Sequence, residues 1–328
     1  MKTPIVSVVI PTYNSAHYIE EALESVFDQS FKDFEIIVID DGSTDGTGEV
    51  LKKYGDRIIS LFQDNNGCAN ARNRGIRIAL GKYIAFLDAD DLWMPAKLEK
   101  QVAIFNKNEN LGMVTTGVYS FDVKGIYGFS KNKRKTLMRG DVAKNIFLHS
   151  NIGTPTVMVR KRVFDKVGLF EERTRQGDKV FLSHGSDDNM WIRIAAHFDV
   201  ELIDEPLVKI RVHPSMMTLK KSELLESVKY NIHLLNTKYG DNVKKRIEKA
   251  IPIKTSHVQF AIGYSQLENG NYREARKAFL IGAYHWIWFW KNPLYLALTF
   301  MPSGLMTILK SIKRKLAPIP TEGFKRRR

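Results

Sequence analysis

A dense acidic cluster follows directly on an apolar run of strand-forming residues. Asp88, Asp90 and Asp91 stand behind residues 83–87, which read Tyr-Ile-Ala-Phe-Leu. Carboxylates held close together raise each other's pKa, so the cluster needs a cationic partner, of which a divalent metal ion is one. A lone Asp-X-Asp is usually a turn or a helix cap, but at the end of a buried strand it predicts a metal site. We expect Asp90 to be the metal ligand and Asp91 to support it.

Two earlier polar segments also follow strand-like runs. Residues 5–10 lead into 11–14 (Pro-Thr-Tyr-Asn), and residues 35–39 lead into Asp40 and Asp41. In parallel α/β sheets, ligands bind outside the carboxyl ends of the strands. Three such strand ends would together form a crevice for a nucleotide and a metal ion.

A nucleotide-diphosphate sugar suits this crevice, because a divalent metal can stabilise the departing diphosphate. We expect Asp88 to bind ribose hydroxyls or a metal-bound water, and Asp41 to accept the imide N–H of uracil or an equivalent base donor. Tyr13 could stack on the base, and Arg72 could lie over it or contact phosphate. Helix capping is the alternative for Asp41, and an ordinary surface position for Arg72. The predicted donor-binding residues are Pro11, Tyr13, Asp41, Arg72, Asp88, Ala89 and Asp90.

Two further carboxylates, Asp187 and Asp188, stand at the head of a helical pattern behind a glycine loop. A carboxylate on the acceptor side can take the proton of an attacking hydroxyl as general base, so both are predicted catalytic residues. Helix N-capping is the alternative for the pair. His213 follows a strand pattern and is either a further metal or diphosphate ligand or a structural residue.

Alternating strand and helix patterns position these side chains. Strands are predicted at 5–10, 35–39, 58–62 and 83–87, with helices at 16–28 and 69–80 between them. This alternation predicts a largely parallel, right-handed, doubly wound α/β sheet. Pro11 should end the first strand, and Gly81 should end the second helix in a left-handed conformation.

The following hundred residues carry weaker patterns. A helix is predicted from Pro95 to Phe105, strands at 113–121 and 156–159, and a strand pair at 200–203 and 207–212 around Pro206. The segments 124–139 and 171–185 are predicted loops that set specificity; the basic first one is a solvated loop, or alternatively a lid or acceptor contact.

Beyond about residue 220 the pattern is entirely helical, so we divide the chain into 1–218, the catalytic domain, and 219–328, a helical extension. Residues 260–279 resemble one tetratricopeptide-type hairpin. The aromatic run 286–290 and the apolar run 293–309 precede a basic tail. This composition predicts an interfacial anchor on anionic lipid; a buried helix pair and a spanning helix are the alternatives.

Composition narrows the class of protein. The 328 residues carry a formal net charge of +14, which favours an anionic partner such as nucleotide phosphates or an anionic membrane, unless the charge only solubilises the surface. Nucleic acid is not an expected partner. A single cysteine excludes an internal disulfide, and the N-terminus does not resemble a signal peptide. We therefore expect a cytoplasmic protein at the inner face of the membrane.

These motifs together resemble family 2 glycosyltransferases of the GT-A fold. The resemblance covers about residues 4–215 and is carried by 6–14, 38–45, 66–75, 86–91, 187–191 and 205–213. It implies an inverting transfer of a hexosyl group from a nucleotide-diphosphate sugar, with Mg²⁺ or Mn²⁺, to a cell-surface polysaccharide or glycolipid. It also implies the roles given above for Asp41, Asp88 and Asp90, and the role of Asp187 or Asp188 as general base.

The chain departs from that family at one place. Ser186-Asp187 stands where members often have Glu-Asp, and Asn189 stands where they have a further acid. Spacing to Trp191 favours Asp187 as the base over Asp188. Two alternatives from other classes are a sugar nucleotidyltransferase, which should have a glycine- and lysine-rich loop after its first strand, and a non-catalytic membrane-associated scaffold. A dinucleotide oxidoreductase is excluded because no Gly-X-Gly-X-X-Gly follows that strand.

Overall fold

The computed structural model describes residues 3–129, 141–149, 152–172, 174–176, 179–181, 186–213 and 221–300. The chain forms two compact units, residues 1–251 and 252–328. The strands of the first unit are β1 (Val6–Thr12), β2 (Phe34–Asp40), β3 (Ile59–Phe62), β4 (Tyr83–Phe86), β5 (Leu92–Trp93), β6 (Leu111–Asp122), β7 (Gly125–Phe129), β8 (Met158–Arg160), β9 (Thr174–Gln176), β10 (Lys179–Phe181) and β11 (Asp199–Arg211).

The helices alternate with these strands and then continue alone. They are α1 (Ile19–Phe27), α2 (Thr47–Lys52), α3 (Cys68–Ile78), α4 (Lys97–Phe105), α5 (Val142–His149), α6 (Val163–Val167), α7 (Ser186–His197), α8 (Lys221–Thr237), α9 (Gly240–Ile247), α10 (Ile251–Glu268), α11 (Tyr272–His285) and α12 (Lys291–Leu298).

The main sheet is mixed, with the order β3-β2-β1-β4-β8-β6-β11-β5, and β7 pairs with β6 outside this path. The strands β3, β2, β1 and β4 run parallel, so their carboxyl ends lie at one edge of the sheet. β8 is antiparallel to both β4 and β6. The predicted doubly wound α/β fold with a helical C-terminal region is therefore confirmed.

Alternating side chains of β1 enter two different cores. Val8 and Ile10 pack with residues of α1 and α4, whereas Val9 packs with residues of α3, α5 and α7. All three side chains are fully buried. A strand buried on both faces must be apolar throughout, which explains the continuous run at residues 5–10 and the helices on both sides of the sheet.

Two predictions about glycine and proline were wrong. α3 ends at Ile78, and Gly81 has no positive φ; it is required because a Cβ there would lie 2.5 Å from the Ser7 amide nitrogen. Pro11 does not end β1 but pairs with Ile39 within it. β4 pairs with β1 only as far as Val9, so Pro11 has no paired residue on that side. Its missing N–H therefore costs no hydrogen bond between the strands.

Three segments differ from their predicted conformation. The expected strand pair around Pro206 is the single strand β11, and the register shifts on both sides of Pro206 because a bulge tolerates a residue without an N–H. Part of the predicted loop 171–185 is the antiparallel pair β9–β10. Part of the predicted loop 124–139 is β7, whereas residues 130–140 lie outside the described residues.

The two helices after residue 220, α8 and α9, lie in the same compact unit as the sheet. Val243 and Ile247 of α9 are fully buried in the same core as Trp191 of α7. The two compact units are divided between Ile251 and Pro252. The division into a catalytic domain, 1–218, and a helical extension, 219–328, stays a prediction.

The second unit contains the helical hairpin that the sequence indicated. α10 and α11 are joined by a turn in which Gly270 has φ +78°, and Phe279 is fully buried between them and α12. Asn292 at the start of α12 donates to Ser256 O and Oγ at 3.1 and 2.8 Å. Among the described residues, no helix combines the length and the apolar character needed to cross a membrane. Residues 301–328, with most of the predicted apolar run, lie outside the described part.

Candidate active site

The acidic cluster lies just beyond β4, where the sheet order changes direction. Arg72 of α3 donates through Nη2 to Asp88 Oδ1 at 2.7 Å. Asp91 is buried, and its Oδ1 accepts the Arg211 amide at 2.8 Å, which ties the cluster to the end of β11. Arg211 also donates through Nε to the Asp90 carbonyl at 2.9 Å. The cluster is thus held by helix α3 on one side and by strand β11 on the other.

The carboxylates of this cluster disfavour one another's charge. Burial raises the pKa of Asp88, against the opposing charge of Arg72, and Asp90 raises it further. Burial and the charges of Asp90 and Asp88 raise the pKa of Asp91 well above its usual range. A bound cation would favour the ionised forms, so the electrostatics of the cluster suit a positively charged ligand.

Asp90 and His213 form a donor pair that fits a divalent metal ion. Asp90 Oδ2 and His213 Nε2 lie 2.9 Å apart. Two adjacent ligands of an octahedral ion, each at about 2.1 Å, are about 3 Å apart, so one ion could replace this hydrogen bond. In the part of the chain that the structure describes, no three His, Cys, Asp or Glu side chains are arranged to hold a metal. A bound ion would need further ligands from the donor's phosphates and water.

Asp41, at the end of β2, is held by the loop that follows β3. Its Oδ1 accepts from the Asn66 amide and from Gln63 Nε2, and its Oδ2 accepts from the Gly67 amide. The neighbouring Asp40 accepts the Ser43 amide at 2.9 Å, a turn-capping role. Asp41, and not Asp40, therefore anchors the loop that leads into α3.

Two buried polar atoms beside these strand ends have no hydrogen-bond partner. They are Thr12 Oγ1, at the end of β1, and Arg72 Nε. Buried polar atoms are nearly always satisfied, so an orphan pair at one sheet edge points to a polar ligand there. The Tyr13 ring is half exposed beyond the same strand. The Ala89 side chain packs in the apolar core, so only its backbone could contact a ligand.

Asp187 lies in the first turn of α7, as predicted, with Asp188 beside it. Thr154 Oγ1 donates to Asp187 Oδ2 at 3.3 Å, and the Asp188 amide donates to Asp187 Oδ1 at 2.9 Å. These two bonds orient the Asp187 carboxylate. Helix capping and catalysis are compatible here, because each oxygen of an ionised carboxylate can accept a second hydrogen bond.

The half-buried Cys68 is the first residue of α3. Burial raises the pKa of its thiol to about 12, against the opposing charge of Arg72. The negative charges that add to this rise come from Asp88, Asp187 and Asp41. These acids therefore oppose the ionisation of the thiol.

Sequence reasoning missed two residues of this region. Gln63 immediately follows β3. The rule that ligands bind at the carboxyl ends of parallel strands, which we applied to β1, β2 and β4, would have included it. Thr154 is the first residue of the 3₁₀ turn Thr154–Thr156, just before β8, and had no strand or helix pattern to mark it.

Comparisons with known proteins show which family this chain resembles in sequence and which solved structures share its fold. A model of glycosyl transferase family 2 matches residues 7–168. An uncharacterized glycosyltransferase of Methanocaldococcus jannaschii is 30% identical over 98% of both chains. One of Rickettsia prowazekii is 34% identical over 66% of each chain. The putative teichuronic acid biosynthesis glycosyltransferase TuaG of Bacillus subtilis is 38% identical over 55% of this chain and 71% of its own.

Two solved structures share the fold at low sequence identity. Staphylococcus aureus TarS residues 1–349 in complex with UDP has a TM-score of 0.55 at 20% identity, covering 86% of this chain and 80% of TarS. The Pyrobaculum calidifontis mannosyltransferase PcManGT, in complex with GDP-Man and Mn²⁺, has a TM-score of 0.58 at 16% identity, covering 96% and 81%. The fold, the acids at the strand ends and the sequence relatives lead to one assignment: the chain belongs to glycosyl transferase family 2.

Proposed function

We propose that this protein is a metal-dependent, inverting glycosyltransferase that moves a hexosyl group from a UDP-sugar to a hydroxyl of a polysaccharide or glycolipid acceptor. The observation that carries the proposal is that helix α3 connects two of the acids: the Gly67 amide just before it donates to Asp41 at 2.8 Å, and Arg72 within it donates to Asp88 at 2.7 Å. The relatives support the class of reaction. TarS was solved with UDP and PcManGT with GDP-Man, which supports a nucleotide-diphosphate sugar as donor. TuaG is named for teichuronic acid biosynthesis, which supports a polysaccharide acceptor.

The residues divide between donor and acceptor. Tyr13 stacks on the base, Asp41 accepts its imide N–H, and Asp88 binds ribose hydroxyls. Arg72 has one guanidinium nitrogen bound to Asp88 and a buried Nε without a partner, so it can donate to the diphosphate. Asp90 and His213 hold Mg²⁺ or Mn²⁺, which when bound offsets the charge of the leaving diphosphate.

Asp187 acts as the general base. It takes the proton of the acceptor hydroxyl as that oxygen bonds to the anomeric carbon and the bond to the diphosphate breaks. A single displacement of this kind inverts the configuration of the anomeric carbon. Thr154 keeps the Asp187 carboxylate in one orientation through its 3.3 Å hydrogen bond. Asp188 shares the same turn and is the alternative base.

Donor binding is the first test. In thermal unfolding with excess Mn²⁺, UDP-sugars at a hundred times their Kd should raise Tm by roughly 5 °C, since a ligand bound only by the folded state stabilises it. The same sugars without metal should give a smaller shift. A panel of UDP-, GDP- and dTDP-sugars identifies the donor, and no shift with any of them contradicts the proposal.

We also propose that the second unit contacts an anionic membrane from the cytoplasmic side. Residues 252–328 contain thirteen Lys and Arg but three Asp and Glu. In the described part of this unit, Trp288 and Trp290 are 82% and 62% exposed, and Tyr284 is 87% exposed. Exposed indoles next to basic side chains favour the interface of anionic lipid bilayers.

Vesicle sedimentation tests this contact. The full chain should bind phosphatidylglycerol-containing vesicles but not phosphatidylcholine vesicles, and binding should weaken with salt. Replacing Trp288 and Trp290 by Ala should lower the bound fraction several-fold, because their rings no longer enter the interface. Leu80→Ala, which removes a 62% exposed apolar side chain of the first unit, is the matched control. Unchanged binding of the double variant contradicts the proposal.

A further inference from the structure

The carboxylate of Asp41 has one acceptor position left. Its Oδ1 accepts two donors, the Asn66 amide at 2.9 Å and Gln63 Nε2 at 2.8 Å, and its Oδ2 accepts the Gly67 amide at 2.8 Å. An ionised carboxylate offers about four acceptor positions. Asp41 is 3% exposed, so a ligand can reach it only over a small area. One further N–H can be satisfied there, and two cannot.

We propose that Gln63 determines donor specificity, by limiting Asp41 to a single acceptor and so selecting uracil over guanine. The inference rests on the proposed function, because it takes Asp41 to face the nucleotide base. The imide edge of uracil presents one N–H between two carbonyl groups. The corresponding edge of guanine presents two adjacent N–H groups beside one carbonyl. With one acceptor available, guanine would leave a donor unpaired in a buried site, which disfavours GDP.

The Gln63 amide is fixed in the orientation that this role requires. Its Nε2 donates to Asp41 Oδ1 and also to Asn70 Oδ1 at 2.9 Å, so both of its protons are used. Its Oε1 accepts Arg74 Nη1 at 3.4 Å. Turning the amide over would place Oε1 against the Asp41 carboxylate, with no proton between two acceptors. Gln63 therefore occupies an acceptor position of Asp41 rather than offering a new one.

Asn70 is itself held in place by Glu172. Asn70 Nδ2 donates to Glu172 Oε2 at 2.8 Å, and Asn73 Nδ2 donates to Glu172 Oε1 at 2.8 Å. Both asparagines lie on α3, and Glu172 lies in the segment between α6 and β9. A continuous chain of hydrogen bonds thus runs from Glu172 through Asn70 and Gln63 to Asp41. Glu172 and Asn70 are positioning residues for Gln63, and none of the three needs to touch the sugar.

Titration calorimetry of the full chain with UDP and with GDP, each with Mn²⁺, tests the inference. The wild type should bind UDP at least about tenfold more tightly than GDP, the factor that one hydrogen bond supplies. Gln63→Met keeps the side-chain length but has no N–H, so Oδ1 regains an acceptor position. We expect this variant to lower the UDP preference at least about threefold, mainly by strengthening GDP binding.

Two further variants complete the experiment. Asn70→Ala removes the oxygen that accepts the second Nε2 proton of Gln63, so the Gln63 side chain is held less firmly and can leave Asp41. This variant should give a preference between those of the wild type and Gln63→Met. Gln259→Met, in α10, is the matched control and should leave the preference unchanged.

Each outcome decides between two hypotheses. Equal affinity of the wild type for UDP and GDP overturns the role of Gln63, as does an unchanged preference in a folded Gln63→Met protein. If Gln63→Met does not fold, the Asn70→Ala preference decides in the same way. A wild-type chain that binds neither diphosphate refutes the proposed function itself, and the inference with it.

Discussion

The Asp187→Asn variant is expected to bind the nucleotide-sugar donor as the wild type does and to lose transfer by about 10²–10⁴-fold, the usual contribution of a general base. An amide keeps the size of the carboxylate and can still accept from Thr154 Oγ1, which donates to Asp187 at 3.3 Å. It cannot take a proton from the acceptor hydroxyl. The value of kcat should therefore fall, whereas the thermal shift produced by donor and Mn²⁺ should remain as in the wild type.

Asp188→Asn is the matched control for this experiment. Asp188 lies in the same helical turn and carries the same charge, so general electrostatic effects of the substitution are shared. We expect Asp188→Asn to keep most of the transfer activity. If Asp188→Asn abolishes transfer and Asp187→Asn does not, the base is Asp188 and the register inferred from Trp191 is off by one residue.

The strand ends could be predicted from sequence because their signal is local. An apolar run that stops at a polar residue indicates both a strand and its end, and parallel strands bring such ends to one edge. Asp41 and Asp88 needed no more than this to be placed at that edge, whereas Arg72 lies within helix α3. Their separation along the chain did not matter, since the alternation of strands and helices determined which edge they share.

Residues whose position depends on tertiary contacts could not be predicted. Gly81 is required by a close approach to the Ser7 backbone, which lies 74 residues earlier in the chain. α9 carries apolar residues that suit any helical bundle, and nothing in its own sequence shows that Val243 packs against the sheet domain. The hydrogen bond between Thr154 and Asp187 joins segments 33 residues apart.

Helix α3 connects the two halves of the proposed donor site. Its first residue, Cys68, follows the Gly67 amide that donates to Asp41, and one turn later Arg72 donates to Asp88. Gly75 packs against Val9 of β1 so closely that a Cβ would lie 2.4 Å from a methyl group. Because α3 is pressed onto the sheet, the spacing between the base-binding and diphosphate-binding residues is set by one rigid element.

The Asp90→Ala variant is expected to lose metal-dependent transfer by about 10³-fold or more, since removing a metal ligand forfeits several kcal/mol of charge stabilisation. Its stability without ligand should stay close to that of the wild type. Asp90 raises the pKa of both Asp88 and Asp91, so its removal relieves repulsion within the cluster. The loss of the 2.9 Å hydrogen bond to His213 opposes this relief, so Tm without ligand should be close to that of the wild type. The thermal shift produced by UDP with Mn²⁺ should fall to the value produced by UDP alone.

Two companion variants make the result specific to the metal. His213→Ala removes the other member of the 2.9 Å pair and should weaken Mn²⁺ binding, as followed by the electron paramagnetic resonance of free Mn²⁺. Asp56→Ala, which removes an exposed acid beside α2, should leave Mn²⁺ binding and transfer unchanged. Full activity of Asp90→Ala at limiting Mn²⁺ would remove Asp90 from the metal site. Loss of activity with Mn²⁺ binding intact would assign Asp90 to the donor sugar or ribose instead, because the carboxylate would then act on the substrate without holding the ion.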